Sequence, residues 1–217
     1  NISNKDIATV KKLLPSFEEL EEFFKTDNPI DNVIVQDTSD KIMNSKMWNT
    51  VKVCIHSQEN EQGPGRHMSG FVGFKNNNGY RLLGIFSFHS DSHSLTVRDN
   101  HIGWTTEENK THRERIVNMN TCCPTQPFGF NFLGGKFISL IVQKFVPLWN
   151  EKYKTKLIGI TTTSLFGSES QYNSMRWWKH LGTSSGTVLI KPLHEEWSFW
   201  RYWLRENYSD IFEKVMS

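Results

Sequence analysis

Residues 123–153, CPTQPFGFNFLGGKFISLIVQKFVPLWNEKY, decide the fold. The first half is broken by Pro124, Pro127, Gly129 and a glycine pair, which oppose regular pairing. From Phe137 onward Leu140, Ile141, Phe145 and Leu148 recur at helical spacing. The stretch therefore reads as a loop feeding a helix over 137–153. Upstream, 116–122 reads as a strand. Downstream come a β-branched strand over 157–163, a helix over 170–181 closed by Gly182, and a strand over 187–190. The order strand, glycine loop, helix, strand, helix, strand is that of an α/β domain.

A glycine pair at a strand-to-helix junction lets backbone N–H groups approach an anion, and the helix dipole favours negative charge there. Leu133, Gly134, Gly135 and Lys136 are thus a candidate pyrophosphate cradle, although the same pair also makes a plain tight turn. Neither the G-x-x-x-x-G-K-[ST] nor the G-x-G-x-x-G spacing is present, so nucleotide hydrolysis and dinucleotide binding lose rank.

Further outward, 6–24 reads as two short helices divided at Pro15, the second opened by Ser16 and Glu19 in a capping-box pattern. Val51, Val53 and Ile55 alternate with polar residues and are expected to form a strand. The runs 71–74 and 80–88, separated by Asn76-Asn77-Asn78-Gly79, read as a hairpin. Trp197, Trp200, Leu204, Tyr208 and Phe212 form an apolar stripe on a terminal helix. The expected organisation is one domain over 1–217, with a helical N-terminal extension over 1–47 and the core over 48–217.

The chain has 217 residues, 37% of them hydrophobic and 22% charged, enough for one sizeable core. Mean hydropathy is −0.52 and no apolar run approaches the ~18 residues of a membrane span. With 25 Lys+Arg against 23 Asp+Glu there is no global basic field, so any nucleic-acid contact must be local. The three cysteines, Cys54 and the adjacent Cys122 and Cys123, argue against a disulfide scaffold and for a reducing, cytoplasmic setting. An opening at Asn1 with no leader pattern reads as a trimmed piece of something longer.

Arg98, Asp99, His101 and Trp104 cluster after a strand. In an enzyme, Asp99, or else His101, would take a proton from an acceptor amine; structurally, an Arg–Asp pair holds a turn. Ser164 and Tyr172 flank the next loop, where a hydroxyl could protonate a leaving thiolate or simply form a turn. His89, Asp91 and His93 alternate in the manner of a metal site on one strand face, a pattern equally common in solvated loops. Arg176, Trp177, Trp178, Lys179 and His180 mix aromatic and basic groups as base stacking requires, with at least one Trp expected in the core.

The element order, together with SMRWWKHLGTSSGT at 174–187, resembles the core of the GNAT acyltransferases. That resemblance implies a mixed, mostly antiparallel sheet flanked by helices, with an acyl-coenzyme A such as acetyl-coenzyme A held by residues 133–136. Asn173 would orient its pantetheine arm, with Asp99 as base and Tyr172 as acid. The blocks VRDNHIGW (97–104), CPTQPFGFNFLGGKF (123–137) and TTTSLFGSESQYN (161–173) resemble those of the Druantia anti-phage protein A family, itself regarded as a distant relative of the Mom DNA-modification acyltransferases. This implies phage-related DNA modification, with acyl transfer to a nucleobase amine and DNA as partner. The alternatives are a non-catalytic nucleic-acid-binding or virion-associated protein on the same fold, or a metal enzyme at His89 and His93.

Overall fold

Two serine capping boxes start the chain, Ser3 with Asp6 opening α1 (Asn4–Leu13) and Ser16 with Glu19 opening α2 (Phe17–Phe24), either side of Pro15. The computed structural model describes residues 2–55, 65–92, 94–164, 169–183 and 196–216. The chain falls into two units, Asn1–Thr183 and Ser184–Ser217.

In the larger unit β1 (Ile34–Asp37) and α3 (Ser45–Ile55) precede the hairpin of β2 (His67–Asn76) and β3 (Gly79–Ser90). Asn76 pairs with Gly79, and Gly79 takes the positive φ (105°) of the glycine that follows the central residues in a G1-bulge hairpin. Then come α4 (Thr96–Ile102), α5 (Thr106–His112), β4 (Ile116–Pro124), α6 (Phe128–Asn131), α7 (Gly134–Ile141), α8 (Val146–Tyr153) and β5 (Gly159–Thr161). The sheet runs in the order β1-β2-β3-β4-β5, antiparallel up to β4, with β4 and β5 parallel.

Alternation along the hairpin sends its apolar side chains to two faces. On one, Met68, Val72, Phe86 and Phe88 pack with Leu20 and Phe23 of α2, Ile138 of α7 and Trp149 of α8. On the other, Phe71, Leu82 and Ile85 pack with Val10 of α1 and with Trp48 and Val51 of α3. The molecule is thus an α/β protein whose five-stranded mixed sheet is flanked by helices. No helix among the described residues is long and apolar enough to cross a membrane.

Several expectations need correction. Val51, Val53 and Ile55 lie on α3, not on a strand. Trp48 and Val51, three residues apart, share its buried face while Val53 is 68% exposed, so the short alternation was one side of a helical pattern. The helix expected over 137–153 starts earlier, at Gly134, and is split. A 3-10 stretch, Val142–Phe145, separates α7 from α8, where Pro147 in the first turn lacks the N–H that a continuous helix would need. Residues 170–181 form turns, not a helix. Residues 1–47 are not purely a helical extension, since they supply β1 to the sheet and the start of α3. The strand expected over 157–163 is shorter, Gly159–Thr161. That expected over 187–190 lies outside the described residues.

In the second unit the expected terminal helix is two, α9 (Trp197–Asn207) and α10 (Ser209–Met216). Phe199 packs on Trp200, Trp200 on Trp203 and Trp203 on Tyr208 at the break.

Candidate functional site

β4 and β5 stay together for three residue pairs, the last being Asn118 with Thr161, and then part while β4 continues to Pro124. Carbonyls of β4 beyond that point need other partners. Thr162 Oγ1 donates to Met119 O at 2.9 Å, and Gln171 Nε2 donates to Cys122 O at 2.9 Å. The Tyr172 hydroxyl lies 3.1 Å from Gln171 Nε2 and 3.5 Å from Thr162 Oγ1, and its ring packs on Trp178 with centroids 4.6 Å apart. Burial pushes the Tyr172 phenol well above its ordinary value, and the neighbouring Cys122 thiol adds to this. Cys122 is itself pushed up, by burial and then by Cys123. Both groups therefore keep their protons at neutral pH. The seam between the strands is lined by uncharged protic groups.

The first turn of α7 stands beside the seam. Leu133 caps it with a left-handed backbone (φ 51°) and an exposed side chain. A Cβ at Gly134 would meet the Phe128 ring at 2.7 Å, and one at Gly135 would meet Gln171 Oε1 at 2.6 Å. Packing thus requires glycine at 134, where the Phe128 backbone carbonyl also stands at 2.8 Å, whereas the neighbour of Gly135 is the movable end of a side chain. Lys136 Nζ donates to the backbone carbonyl of Asn173, whose side-chain oxygen accepts from Ser170 Oγ at 3.0 Å. The structure thus brings Leu133, Gly134, Gly135 and Lys136 together with Tyr172 and Asn173. Ser164 is exposed beyond β5 and donates to Glu169 O at 3.0 Å.

Asp99 belongs to a different cluster. Arg98, 1% exposed, places Nη1 2.7 Å from Asp91 Oδ2 and Nη2 2.6 Å from Asp99 Oδ1, and also donates to the Ser92 carbonyl at 3.0 Å. Asp99 Oδ2 accepts from the Leu95 N–H at 3.2 Å and from Asn109 Nδ2 at 2.9 Å. Burial works against the Arg98 charge, but the two carboxylates outweigh it and raise its pKa. Both oxygens of Asp99 are engaged, and His101 is exposed two residues on.

Of the alternating His89, Asp91 and His93, Asp91 is committed to Arg98, burial lowers the His89 pKa, and His93 lies outside the described residues. Among the described residues no group of three His, Cys, Asp or Glu could hold a metal ion. All three cysteines are free thiols. Trp178 is half-buried and Trp177 is 70% exposed. Sequence reasoning missed Gln171 and Thr162; nothing local marks a glutamine that replaces a ladder bond.

These features define an α/β protein with a parted parallel strand pair and a glycine-started helix at the opening. The chain belongs to the family described as Druantia protein DruA, whose profile matches residues 2–191. It is similar to the Druantia protein DruA of Escherichia coli (strain UMEA 4076-1), 27% identical over 128 residues, which cover 52% of this chain and 31% of that protein. The chain thus spans about a third of the length of the curated relative that it matches. No solved structure matches it.

Proposed function

We propose that this chain is a GNAT-like acyl-transfer module of phage defence, using an acyl-coenzyme A such as acetyl-coenzyme A to modify an amine, on a nucleobase of phage DNA. The observation that carries this reading is the seam: an antiparallel sheet ends in a parallel β4–β5 pair that parts beside the first turn of α7, with the neutral Tyr172 hydroxyl inside the opening. Membership of the DruA family supports the phage setting.

The donor set suits the cofactor's diphosphate: backbone N–H groups at the start of α7 and the Lys136 ammonium. Gln171 occupies the Cys122 carbonyl inside the opening, so this turn must yield for an arm to enter there. When bound, the coenzyme supplies an activated acyl group and a thiolate leaving group. Tyr172 would be the group to give that sulfur a proton, Lys136 and the helix start would hold the anionic end, and Asn173 would orient the arm. To act as base for the acceptor amine, Asp99 must release the Leu95 N–H or the Asn109 amide from Oδ2; the exposed His101 is the alternative that needs no such rearrangement, and Ser164 is the alternative acid. The free thiols fit a cytoplasmic setting.

The second reading, a non-catalytic nucleic-acid-binding or virion-associated protein, is favoured by one observation. The Cβ sides of Gly134 and Gly135 are filled by Phe128 and Gln171, as in a tight turn that carries no ligand.

Thermal unfolding with and without acetyl-coenzyme A separates the two, because a ligand of the native state raises its melting temperature by mass action. We expect a rise of several degrees in the parent at about a hundredfold excess over Kd, a larger rise in Gln171→Ala, and none in Gly135→Trp or Lys136→Ala. No rise with any coenzyme A thioester, in the parent or in Gln171→Ala, selects the non-catalytic reading.

A further inference from the structure

Trp178 also lines a groove of about 430 Å³. Val142 and Val146 contribute one side, Leu157 and Ile160 another, and Trp177 and Trp178 close it. Its volume falls within the ~300–1,000 Å³ of small-ligand sites, too small for a helix or a folded partner.

The two tryptophans differ. Trp178 is fixed, its indole N–H donating to Ser139 O at 3.1 Å. Trp177 leaves its ring 70% exposed at the rim, with the Arg176 guanidinium 5.2 Å from the ring centroid. An exposed indole beside a groove of mixed polar and apolar lining is a platform for a planar π-system.

The stretch of sequence that supplies the groove's lining is basic, and that charge selects the chemistry of the system. Over residues 136–183 seven Lys and Arg face two Glu, a local +5 in a chain of +2, so the remainder carries −3. Lys154, Lys156, Arg176 and Lys179 are all exposed, and none forms an ion pair among the described residues. A polyanion that carries flat rings fits both features at once. A duplex hides its bases in the stack, whereas a single strand offers them.

We propose that this groove takes an unpaired nucleobase of a single-stranded nucleic acid, stacked on Trp177, with the flanking phosphates on Arg176, Lys179 and Lys156. The site deepens the nucleobase reading above and rests on it for its biological sense. Its test uses no acyl donor, so the two fail separately.

The test is binding of the full chain to a labelled single-stranded DNA of about twelve nucleotides, followed by anisotropy from about 50 mM salt upward. We expect log K to fall against log salt with a slope of about −2 for three phosphate contacts, and a duplex of the same sequence to bind more weakly. Trp177→Ala should weaken binding about tenfold to a hundredfold at an unchanged melting temperature, since the ring is exposed; Arg176→Gln should flatten the slope by about 0.7. Absence of binding at low salt, or equal affinity of Trp177→Ala and the parent, overturns the proposal. So does displacement of the oligonucleotide by an equal concentration of a phosphopeptide of equal charge, which would assign the groove to a protein ligand.

Discussion

The Arg98 cluster and the β4–β5 seam are both buried and polar, and they are built in opposite ways. Around Arg98 a full positive charge meets two carboxylates at 2.6 and 2.7 Å, while the Leu95 N–H and the Asn109 amide occupy Asp99 further. In the seam no charge is present: Tyr172, Thr162, Gln171 and Cys122 meet through neutral groups whose protons burial keeps in place. A closed ionic cluster joins 91–92, α4 and α5 into one piece, and breaking it exposes an uncompensated charge. A neutral cluster costs less to rearrange. The first arrangement holds a fold, and the second is suited to chemistry.

The sharpest way to break this contrast is Arg98→Met. It strands Asp91 and Asp99 without their cation and should cost about 3–5 kcal/mol in urea unfolding; a loss below about 1 kcal/mol would mean that the cluster does not hold the fold. Glu19 repeats the ionic design on a smaller scale, its carboxylate receiving Arg81 Nε at 2.8 Å and Asn76 at 2.8 Å. Burial opposes its charge, but Arg81, the Ser16 N–H and the two asparagines hold it at about 2 against an ordinary 4.5. Because the folded value lies below the unfolded one, its stabilisation is complete above pH 4.5 and drains away as pH falls towards 2. Glu19→Gln should therefore cost up to about 3 kcal/mol at neutral pH and flatten that acid limb, as chemical denaturation at a series of pH values would read. Tyr172→Phe is the mildest change, about 1 kcal/mol of stability for one hydroxyl. In the acyl-transfer reading it lowers turnover about a hundredfold without weakening coenzyme binding; an unchanged turnover would remove Tyr172 from the chemistry.

Legibility in the sequence followed the range of the interactions. The hairpin at Asn76-Asn77-Asn78-Gly79 and the Ser16–Glu19 cap depend on residues within a few positions of one another, and both were readable. The alternation of Val51, Val53 and Ile55 was too short to separate a strand from the buried stripe of a helix, and burial of Trp48 against the sheet decided the matter. The turns at 170–181 were misread because Gln171, Tyr172 and Trp178 take their partners from β4, β5 and α7, which no local periodicity encodes. The site divided in the same way. The glycine pair was visible as a motif, whereas the reason for it, Phe128 on one glycine and Gln171 on the other, is a tertiary contact.

By itself, then, the sequence determined the order strand, glycine loop, helix and strand up to residue 161, the capped N-terminal helices, the hairpin and the family-specific blocks, because caps, turns and periodicities act over a few residues of chain. Only the tertiary structure decided that β4 and β5 part after three pairs and that Gln171 and Tyr172 enter the opening. Those outcomes depend on which buried polar groups meet across 10 to 49 residues of chain, from Thr162 with Tyr172 to Gln171 with Cys122, and burial makes each group find a partner wherever the fold provides one.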